Sequence, residues 1–309
     1  MPAVFLNRTD KRPDGFAGCA ATIGNFDGVH LGHRSLIDAA VRRAKELGGP
    51  AVAVSFDPPP YQVLFPDAPV RPPLTDMAER TRLLHAAGID RVAVLRTTTE
   101  LLALTPEQFF REVLLRQLGA SAVIEGFNFR FGINRTGSTN TLRSLCSAAE
   151  LRFEEVPPFE WDGEPVSSSR VRAALSTGDV ALAARLLGRN YSIAGTVVKG
   201  AERGRTLGFP TANLADVPVE LPGNGVYAVH AHVNGSAWPA AANIGPNPTF
   251  GDTARKIEVH LIGFIGDLYG RQLKVEFATK LRDTQPFAGV AELTRQLKQD
   301  IEHARSVLA

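Results

Sequence analysis

Two histidines inside a glycine-rich run offer the clearest chemistry in the sequence. The run Gly24-Asn25-Phe26-Asp27-Gly28-Val29-His30-Leu31-Gly32-His33 follows an apolar segment and precedes a helical pattern. This order predicts a strand, a tight glycine turn and a helix start. The first turn of a helix presents free backbone N–H groups and positive dipole charge, which suits a phosphate. His30 and His33 are three residues apart, so both imidazoles face the same way and can donate to phosphate oxygens as charge develops there.

Two other interpretations of this run stay open on the residues alone. A histidine pair at a helix start can be a cap or a surface feature. Asp27, His30 and His33 could also form a metal site. The strand before the run, the helix after it and the glycines at both ends favour phosphate binding. The predicted nucleotide contacts in the turn are Gly24, Asn25, Phe26, Asp27 and Gly28.

Two later segments of the first half also carry polar groups after apolar runs. Ile124-Glu125-Gly126-Phe127-Asn128-Phe129-Arg130-Phe131-Gly132 offers an amide at Asn128 and alternating aromatic rings, which are usually packing residues but can also contact a planar ligand. Val166-Ser167-Ser168-Ser169-Arg170-Val171-Arg172 opens another helix. Its hydroxyls and Arg172 suit a triphosphate, and the alternative is a plain N-cap with basic neighbours.

The strongest pattern of the second half runs from Gly200 to Asn213. Its glycines, four residues apart, are Gly200, Gly204 and Gly208. Glycines at this spacing between strands can form a flexible loop over phosphates. Thr211 and Asn213 supply neutral oxygens, and Mg²⁺ accepts such ligands beside nucleotide phosphates. The alternative is a β-turn that pivots on Pro210.

The elements that must position these residues change character near residue 187. Up to about residue 186, apolar runs alternate with helical patterns, which predicts a doubly wound, Rossmann-like α/β domain over residues 1–186. Predicted strands are Ala51–Phe56, Arg91–Leu95 and Ala122–Ile124, and Glu107–Leu118 is a predicted helix. Ligands of such sheets bind at the carboxyl ends of strands, where each motif of this half falls.

Residues 187–309 predict a small antiparallel β-barrel or a sandwich, with the barrel preferred, followed by a helix. Short apolar stretches separated by Gly and Pro turns indicate the barrel strands. They are Ile193–Val198, Gly225–His232, Ile257–Ile262 and Leu273–Phe277. Val290–Leu308 places its leucines and isoleucine near one face and predicts an amphipathic C-terminal helix.

Composition narrows the class of protein. The chain has 309 residues and a net charge of +2, which argues against nucleic acid or an anionic membrane as a partner. Cys19 and Cys146 are too few for a disulfide framework and predict buried thiols. No apolar signal core is present, and the longest uncharged stretch, 221–251, is broken by prolines. We expect a soluble cytoplasmic protein.

The run from Gly24 to His33 resembles the nucleotidyltransferase signature. The wider pattern Gly-x-Phe-Asp-Gly-Val-His-x-Gly-His resembles the FMN adenylyltransferase module of the bacterial bifunctional riboflavin kinase/FAD synthetase family. The resemblance implies transfer of AMP from ATP to FMN, giving FAD and pyrophosphate. It implies that His30 and His33 stabilise the transferring α-phosphate. Asn128 and Phe127 would contact the flavin. The β- and γ-phosphates would meet Ser167, Ser168, Ser169 and Arg172.

The pattern from Gly204 to Asn213 resembles the flavokinase signature Gly-Arg-x-Leu-Gly-x-Pro-Thr-Ala-Asn. The resemblance implies phosphorylation of riboflavin to FMN with ATP and Mg²⁺, with Glu258 as the base. On the residues alone, without the resemblance, Glu258 would be interpreted as a cross-strand charge partner of Lys256 or Lys274. The remaining roles implied are Thr211 and Asn213 for Mg²⁺, Gly200, Gly204, Arg205 and Gly208 for the nucleotide, and Arg282 and Phe287 for the flavin.

The resemblance extends from about Cys19 to the C-terminal helix, and the transferase module departs from the family pattern where a histidine is usual. The family usually has Asp-Pro-His-Pro where this chain has Asp57-Pro58-Pro59-Pro60. The side chain of Pro59 cannot donate a hydrogen bond. Three alternatives therefore stand beside the bifunctional enzyme: a kinase with an inactive transferase module, a specialised paralogue that uses another nucleotide such as CTP, and a flavin-binding regulator without turnover.

Overall fold

A computed structural model of the chain describes residues 2–200, 208–247 and 252–309. The chain forms two compact units. The first comprises Met1–Arg71 and Thr75–Ser167, and the second comprises Pro72–Leu74 and Ser168–Ala309. Two helices ahead of residue 187 therefore group with the second unit, whereas the predicted domain boundary lies at 186/187. That boundary stays a prediction.

The first unit is built on a six-stranded sheet in the order β1-β4-β3-β2-β5-β8, with every pair parallel. These strands are β1 (Val4–Leu6), β2 (Cys19–Ile23), β3 (Ala51–Asp57), β4 (Arg91–Arg96), β5 (Ala120–Gly126) and β8 (Arg152–Val156). Two short hairpins, β6 (Arg130–Phe131) with β7 (Gly137–Ser138) and β9 (Glu160–Trp161) with β10 (Glu164–Pro165), complete the strands.

Helices cover both faces of this sheet, so the central strands are buried on both sides, as a parallel sheet requires. They are α1 (Leu31–Leu47), α2 (Pro60–Leu64), α3 (Met77–Ala86), α4 (Thr99–Leu102), α5 (Pro106–Phe109) and α6 (Thr139–Ala148). After β2 the chain adds β3 and β4 on one side, whereas β5 joins β2 on the other. The strand order therefore reverses between β2 and β5, and such a switch point forms the ligand crevice of an open α/β sheet.

The predicted helix Glu107–Leu118 differs in type from an ordinary α-helix. A Thr105–Gln108 capping box starts α5, and a π-helix over Phe110–Leu118 follows. The buried amide of Gln117 lies on this π-helix and donates to the carbonyls of Asn7 and Asp10 at 2.6 and 3.2 Å. The N-terminal segment, which the sequence prediction left without a strand, is thereby fixed beside the sheet.

The second unit contains a closed antiparallel barrel in the order β11-β12-β15-β14-β13-β16, which confirms the predicted barrel. Its strands are β11 (Tyr191–Val198), β12 (Ala212–Ala215), β13 (Gly225–Val233), β14 (Ser236–Asn247), β15 (Asp252–Leu261) and β16 (Gln272–Arg282). Its helices are α7 (Ser168–Ser176), α8 (Val180–Leu187) and α9 (Val290–Leu308). The bounds of α9 match the predicted helix.

A buried ion pair joins α9 to the barrel. The guanidinium of Arg282 contacts both carboxylate oxygens of Asp300, from Nε at 2.9 and 3.2 Å and from Nη2 at 2.7 Å. The amide of Gln296 donates to the same carboxylate at 2.9 Å. Asp300 is only 5% exposed. The inner face of α9 is therefore not purely apolar, unlike the predicted helix face.

The two cysteines are free and buried, as predicted. Burial raises the pKa of the Cys19 thiol to about 12 and that of Cys146 to about 11. Both thiols are therefore protonated near neutral pH. Within residues 2–200, 208–247 and 252–309, no helix has the length and apolar character needed to cross a membrane.

Candidate active sites

The turn after β2 is held by its own backbone and by the neighbouring strand. The N–H of Gly24 donates to the carbonyl of Val54 at 3.0 Å, and the Ser55 hydroxyl donates to the carbonyl of Asn25 at 3.3 Å. Gly28 has φ of 82°, and Phe26 and Val29 take positive φ values of 47° and 42°. Such values are uncommon for residues with side chains, so the turn is closely constrained.

The two predicted catalytic histidines lie together at the start of α1. His30 is the N-cap, and its Nδ1 accepts the N–H of His33 at 3.3 Å. The two rings stack with centroids 3.6 Å apart. Because Nδ1 accepts, a neutral His30 ring carries its proton on Nε2. The capping interpretation thus holds for His30, and it is compatible with a phosphate at the same helix end.

Gly32 permits a close approach at this helix end. A Cβ placed there would lie 2.8 Å from the carbonyl oxygen of Val166 and 3.2 Å from the His30 ring. The segment that precedes Ser167 therefore runs directly against the first turn of α1. The absence of a side chain at Gly32 also leaves room for the imidazole of His30.

The structure gives Asp27 and Phe26 internal roles in the turn. Asp27 Oδ1 lies 3.3 Å from Nη2 of the buried Arg80 and accepts the N–H of Thr75 at 3.3 Å. Gly28 N–H donates to the Thr75 hydroxyl at 3.2 Å. The Phe26 ring is fully buried and meets His33 edge-on at 5.2 Å. In the described part of the chain no group of three His, Cys, Asp or Glu side chains could hold a metal, so the metal interpretation of Asp27 gains no support.

The segment after β5 separates its aromatic residues by exposure. Phe127 is 47% exposed, whereas Phe131 is 6% exposed and stacks on Phe129 with centroids 5.5 Å apart. Asn128 lies in the turn closed by the hydrogen bond from Phe129 N–H to the Gly126 carbonyl at 2.9 Å. Phe127 and Asn128 are therefore accessible to a ligand, and Phe131 belongs to the core.

The serines at the start of α7 are accessible, but Arg172 has internal partners. Ser167 and Ser169 are exposed and Ser168 is half-buried. Arg172 Nη1 contacts Glu220 Oε2 at 2.9 Å and donates to the carbonyl of Pro72 at 2.6 Å. Glu220 also donates its N–H to the Pro73 carbonyl at 2.8 Å. These contacts of Arg172 and Glu220 hold the short segment Pro72–Leu74 within the second unit. The serine-arginine pattern did not predict this role of Arg172.

Pro59 lies at the N-cap of α2, where it makes no side-chain capping bond. The helix that follows and the residue after it expose large side chains, with Tyr61 48%, Leu64 54% and Phe65 56% exposed. At the carboxyl end of β3 this chain therefore presents an apolar surface, where the family pattern has an imidazole.

In the second unit, three polar residues lie side by side across three strands. Register places Asn213 of β12 opposite Glu258 of β15, and Glu258 opposite Asn243 of β14. Their strand neighbours Ala212, Val259 and Ile244 are buried inside the barrel. Because side chains alternate along a strand, the polar row lies on the outer face. Asn243 was not among the residues predicted for this site.

Close contacts of the neighbouring chain hold the region of Thr211 and Asn213, the predicted cation ligands. A Cβ on Gly200 would lie 2.7 Å from Cγ and 2.8 Å from Oδ1 of Asn213, so the chain at Gly200 packs closely on this amide. His260 Nδ1 donates to the Pro210 carbonyl at 2.8 Å and fixes the chain just before Thr211. Hard oxygen donors on a fixed backbone fit Mg²⁺. His260 was missed from the sequence because nothing local pairs it with Pro210.

The predicted flavin contacts of the second unit lie near each other. The guanidinium of Arg282 lies 5.6 Å from the centroid of the Phe287 ring. The Asp300 pair described above fixes the guanidinium. Gly208, with φ of 88°, is exposed. The predicted contacts Gly204 and Arg205 lie outside the described residues.

Together, the two units have the architecture of a two-part transferase: a parallel sheet with a phosphate-type turn and a barrel with a carboxylate beside amide oxygens. The family model described as FAD synthetase matches residues 13–170, and the one described as riboflavin kinase matches residues 187–308. The chain belongs to the bifunctional riboflavin kinase/FMN adenylyltransferase family.

Individual relatives agree with this assignment. The chain is 40% identical over 294 residues to the bifunctional riboflavin kinase/FMN adenylyltransferase of Pseudomonas fluorescens, covering 94% of each chain. It is 38% identical over 290 residues to the enzyme of the same name from Escherichia coli K12, covering 93% of this chain and 92% of the relative. A crystal structure described as a macrolide-efflux protein from Streptococcus pneumoniae is 30% identical with a TM-score of 0.87, covering 98% of this chain and 99% of the other.

Proposed function

We propose that the chain makes FMN from riboflavin and ATP in the barrel unit, and FAD from FMN and ATP in the parallel-sheet unit. The observation that carries this proposal is that both family models match, in order, over 13–170 and 187–308. Each unit supplies groups suited to one of these two reactions. We further propose a cytoplasmic enzyme with no nucleic acid or membrane partner, as the composition predicts.

In the barrel, Glu258 acts as the base. Its carboxylate accepts the proton of the 5′-hydroxyl of riboflavin as that oxygen attacks the γ-phosphorus of ATP. The new bond joins the 5′-oxygen to the γ-phosphorus, and the bond to the β-phosphate oxygen breaks, so ADP leaves. Asn243 and Asn213, on either side of Glu258, orient the carboxylate and the phosphates. Thr211 and Asn213 would hold Mg²⁺, which neutralises phosphate charge when bound.

In the first unit, no strong base is needed. The attacking group is a phosphate oxygen of FMN, which is already ionised near neutral pH. It attacks the α-phosphorus of ATP, and pyrophosphate leaves. His30, His33 and the N-terminus of α1 stabilise the charge on the α-phosphate. The backbone of Gly24, Asn25 and Gly28 would line the phosphate, with Asp27 fixing that backbone through Arg80.

The other nucleotide and flavin contacts stay proposals of the same kind. Ser167, Ser168 and Ser169 would donate hydroxyls to the β- and γ-phosphates. Arg172 could join them only by exchanging Glu220 for a phosphate oxygen. Phe127 and Asn128 would contact FMN. In the barrel, Gly200, Gly204, Arg205 and Gly208 would line ATP, and Arg282 and Phe287 would contact riboflavin.

Pro59 favours a second candidate for the first unit, transfer of a different nucleotide or loss of transfer. The test is purified protein with riboflavin, Mg²⁺ and ATP, CTP or GTP separately, with products resolved by chromatography and mass. FMN and FAD from ATP support the bifunctional enzyme. FMN alone means a silent transferase unit, and a flavin dinucleotide with another base means a changed nucleotide. Flavin binding without turnover would contradict the proposal and favour a regulator.

A further inference from the structure

Glu125 is a buried carboxyl that neither proposed reaction uses. It is the penultimate residue of β5 and is only 1% exposed. Burial raises the pKa of this carboxyl well above its ordinary value, and the backbone N–H of Ile23 partly offsets that effect. A buried acid is costly to a fold, and an apolar residue would fill the same space at less cost. Its presence therefore calls for an explanation beyond packing.

The place of Glu125 in the sheet links it to the phosphate turn. β5 lies beside β2 at the switch point, where the strand order reverses. Glu125 Oε1 accepts the N–H of Ile23 at 2.7 Å. Ile23 is the last residue of β2, and Gly24 begins the turn that leads to His30. A side chain of β5 thus satisfies the last buried donor of β2.

On the side of β5 opposite to β2, the neighbouring strand is β8. β8 places Glu155 opposite Glu125 in register. Glu155 is exposed and pairs with Arg143 of α6 at 2.8 Å. The carboxyl of Glu125 therefore has one hydrogen-bond partner within the described residues, the main chain at the end of β2.

We propose that Glu125 is a positioning residue for adenylyl transfer, which acts by fixing the end of β2 and hence the turn that carries His30 and His33. The inference rests on the proposed function of the first unit. Removal of the acceptor leaves the Ile23 N–H buried and unpaired, and the end of β2 shifts or frays. Small shifts of groups around a reacting phosphate lower the rate strongly.

The test compares Glu125→Gln, which keeps an acceptor oxygen, with Glu125→Leu, which does not. Three quantities are measured: FAD formation from FMN and ATP, FMN formation from riboflavin in the same samples, and hydrogen exchange of the segment 20–30. We expect Glu125→Gln to stay within about threefold of wild type, and Glu125→Leu to lower kcat for FAD formation about tenfold or more with little change in KM. Exchange at Ile23 rises in Glu125→Leu, and FMN formation is unchanged.

Gln117→Leu is the control for a general loss of stability, because it also removes a buried amide with two main-chain bonds in this unit. Equal FAD formation in Glu125→Leu and Glu125→Gln would overturn the inference. So would equal loss in Gln117→Leu at matched stability. If the wild type makes no FAD, the proposed transfer fails instead, and hydrogen exchange at Ile23 still decides whether Glu125 fixes the end of β2.

Discussion

The two units build their candidate sites in different ways. In the first, the groups proposed to meet the transferring phosphate lie within one run of chain, from Gly24 to His33, and positive φ values and a helix N-cap hold them. In the second, Asn213, Glu258 and Asn243 are far apart in sequence and become neighbours through strand register.

The two candidate sites should therefore respond differently to substitutions. A turn site depends on local backbone conformation, so a small steric change within the run should displace all its groups together. A site assembled by strand register depends on the barrel, which is closed and has no free edge. A single side-chain change there should remove the role of that residue and leave its neighbours in place.

The largest effect is expected for Glu258→Gln. Gln cannot accept the proton of the attacking hydroxyl, so kcat for FMN formation should fall by about 10²–10⁴-fold. The barrel should be unaffected, so riboflavin binding by fluorescence titration should be retained. FAD formation from added FMN should not change. The matched control is Glu276→Gln, on β16, where the carboxylate contacts Asn190 and His232 instead. Unchanged turnover in Glu258→Gln would remove this residue from the mechanism.

A smaller effect, on the other product, is expected for His33→Ala. Loss of one donor to the α-phosphate should lower FAD formation about 10²-fold or more. FMN formation should be unchanged. His33 is the better target because His30 also caps α1, and loss of a cap alone costs about 1 kcal/mol. His30→Asn, which keeps a good capping residue, separates the cap from the imidazole. Equal loss of both products in His33→Ala would indicate a folding defect.

Gly32→Ala tests the local character of the turn site. The new methyl would meet the Val166 carbonyl and the His30 ring, so we expect a loss of stability of about 1–3 kcal/mol and reduced FAD formation. Gly48→Ala, at the other end of α1, has φ of 67° but open space around it. It should cost about 1–2 kcal/mol without a specific loss of FAD formation. Thermal unfolding and product assays of both variants check this, and identical profiles would contradict it.

Much of the fold follows from the sequence where the signal is local. Continuous apolar runs predicted β3 and β4, and the periodicity of α9 matched the structure from Val290 to Leu308. β1 was missed because three residues, Val4–Leu6, carry too short a pattern, and only pairing with β4 makes them a strand. The π-helix was missed because its apolar spacing resembles that of an ordinary helix.

For the candidate sites, too, the sequence predicted consecutive residues but not their distant partners. The turn from Gly24 to His33 was predicted as a unit because its residues are consecutive. The partners that hold it were not, since Arg80 and Glu125 lie about 50 and 100 residues away along the chain. Likewise the sequence indicated Arg172 but not Glu220, which is 48 residues distant. Long-range polar pairs depend on the packed structure, and one sequence carries no pattern for them.

The two units bury an acid in different ways. The second unit pairs Asp300 with Arg282, whereas the first buries Glu125 against one backbone N–H.

The ordinary pKa of a glutamate is 4.5, and burial raises that of folded Glu125 well above it. Below pH 4.5 both folded and unfolded Glu125 are protonated; above it the unfolded group ionises while the folded group stays neutral. The contribution of Glu125 to the free energy of unfolding should therefore fall as the pH rises, by at most about 1.4 kcal/mol per pH unit, until the folded pKa is reached. Glu125→Gln carries no such proton, so the difference in thermal midpoint between this variant and wild type should grow as the pH rises from 5 towards the folded pKa. Parallel midpoints across that range would show that Glu125 ionises alike in the folded and unfolded chain.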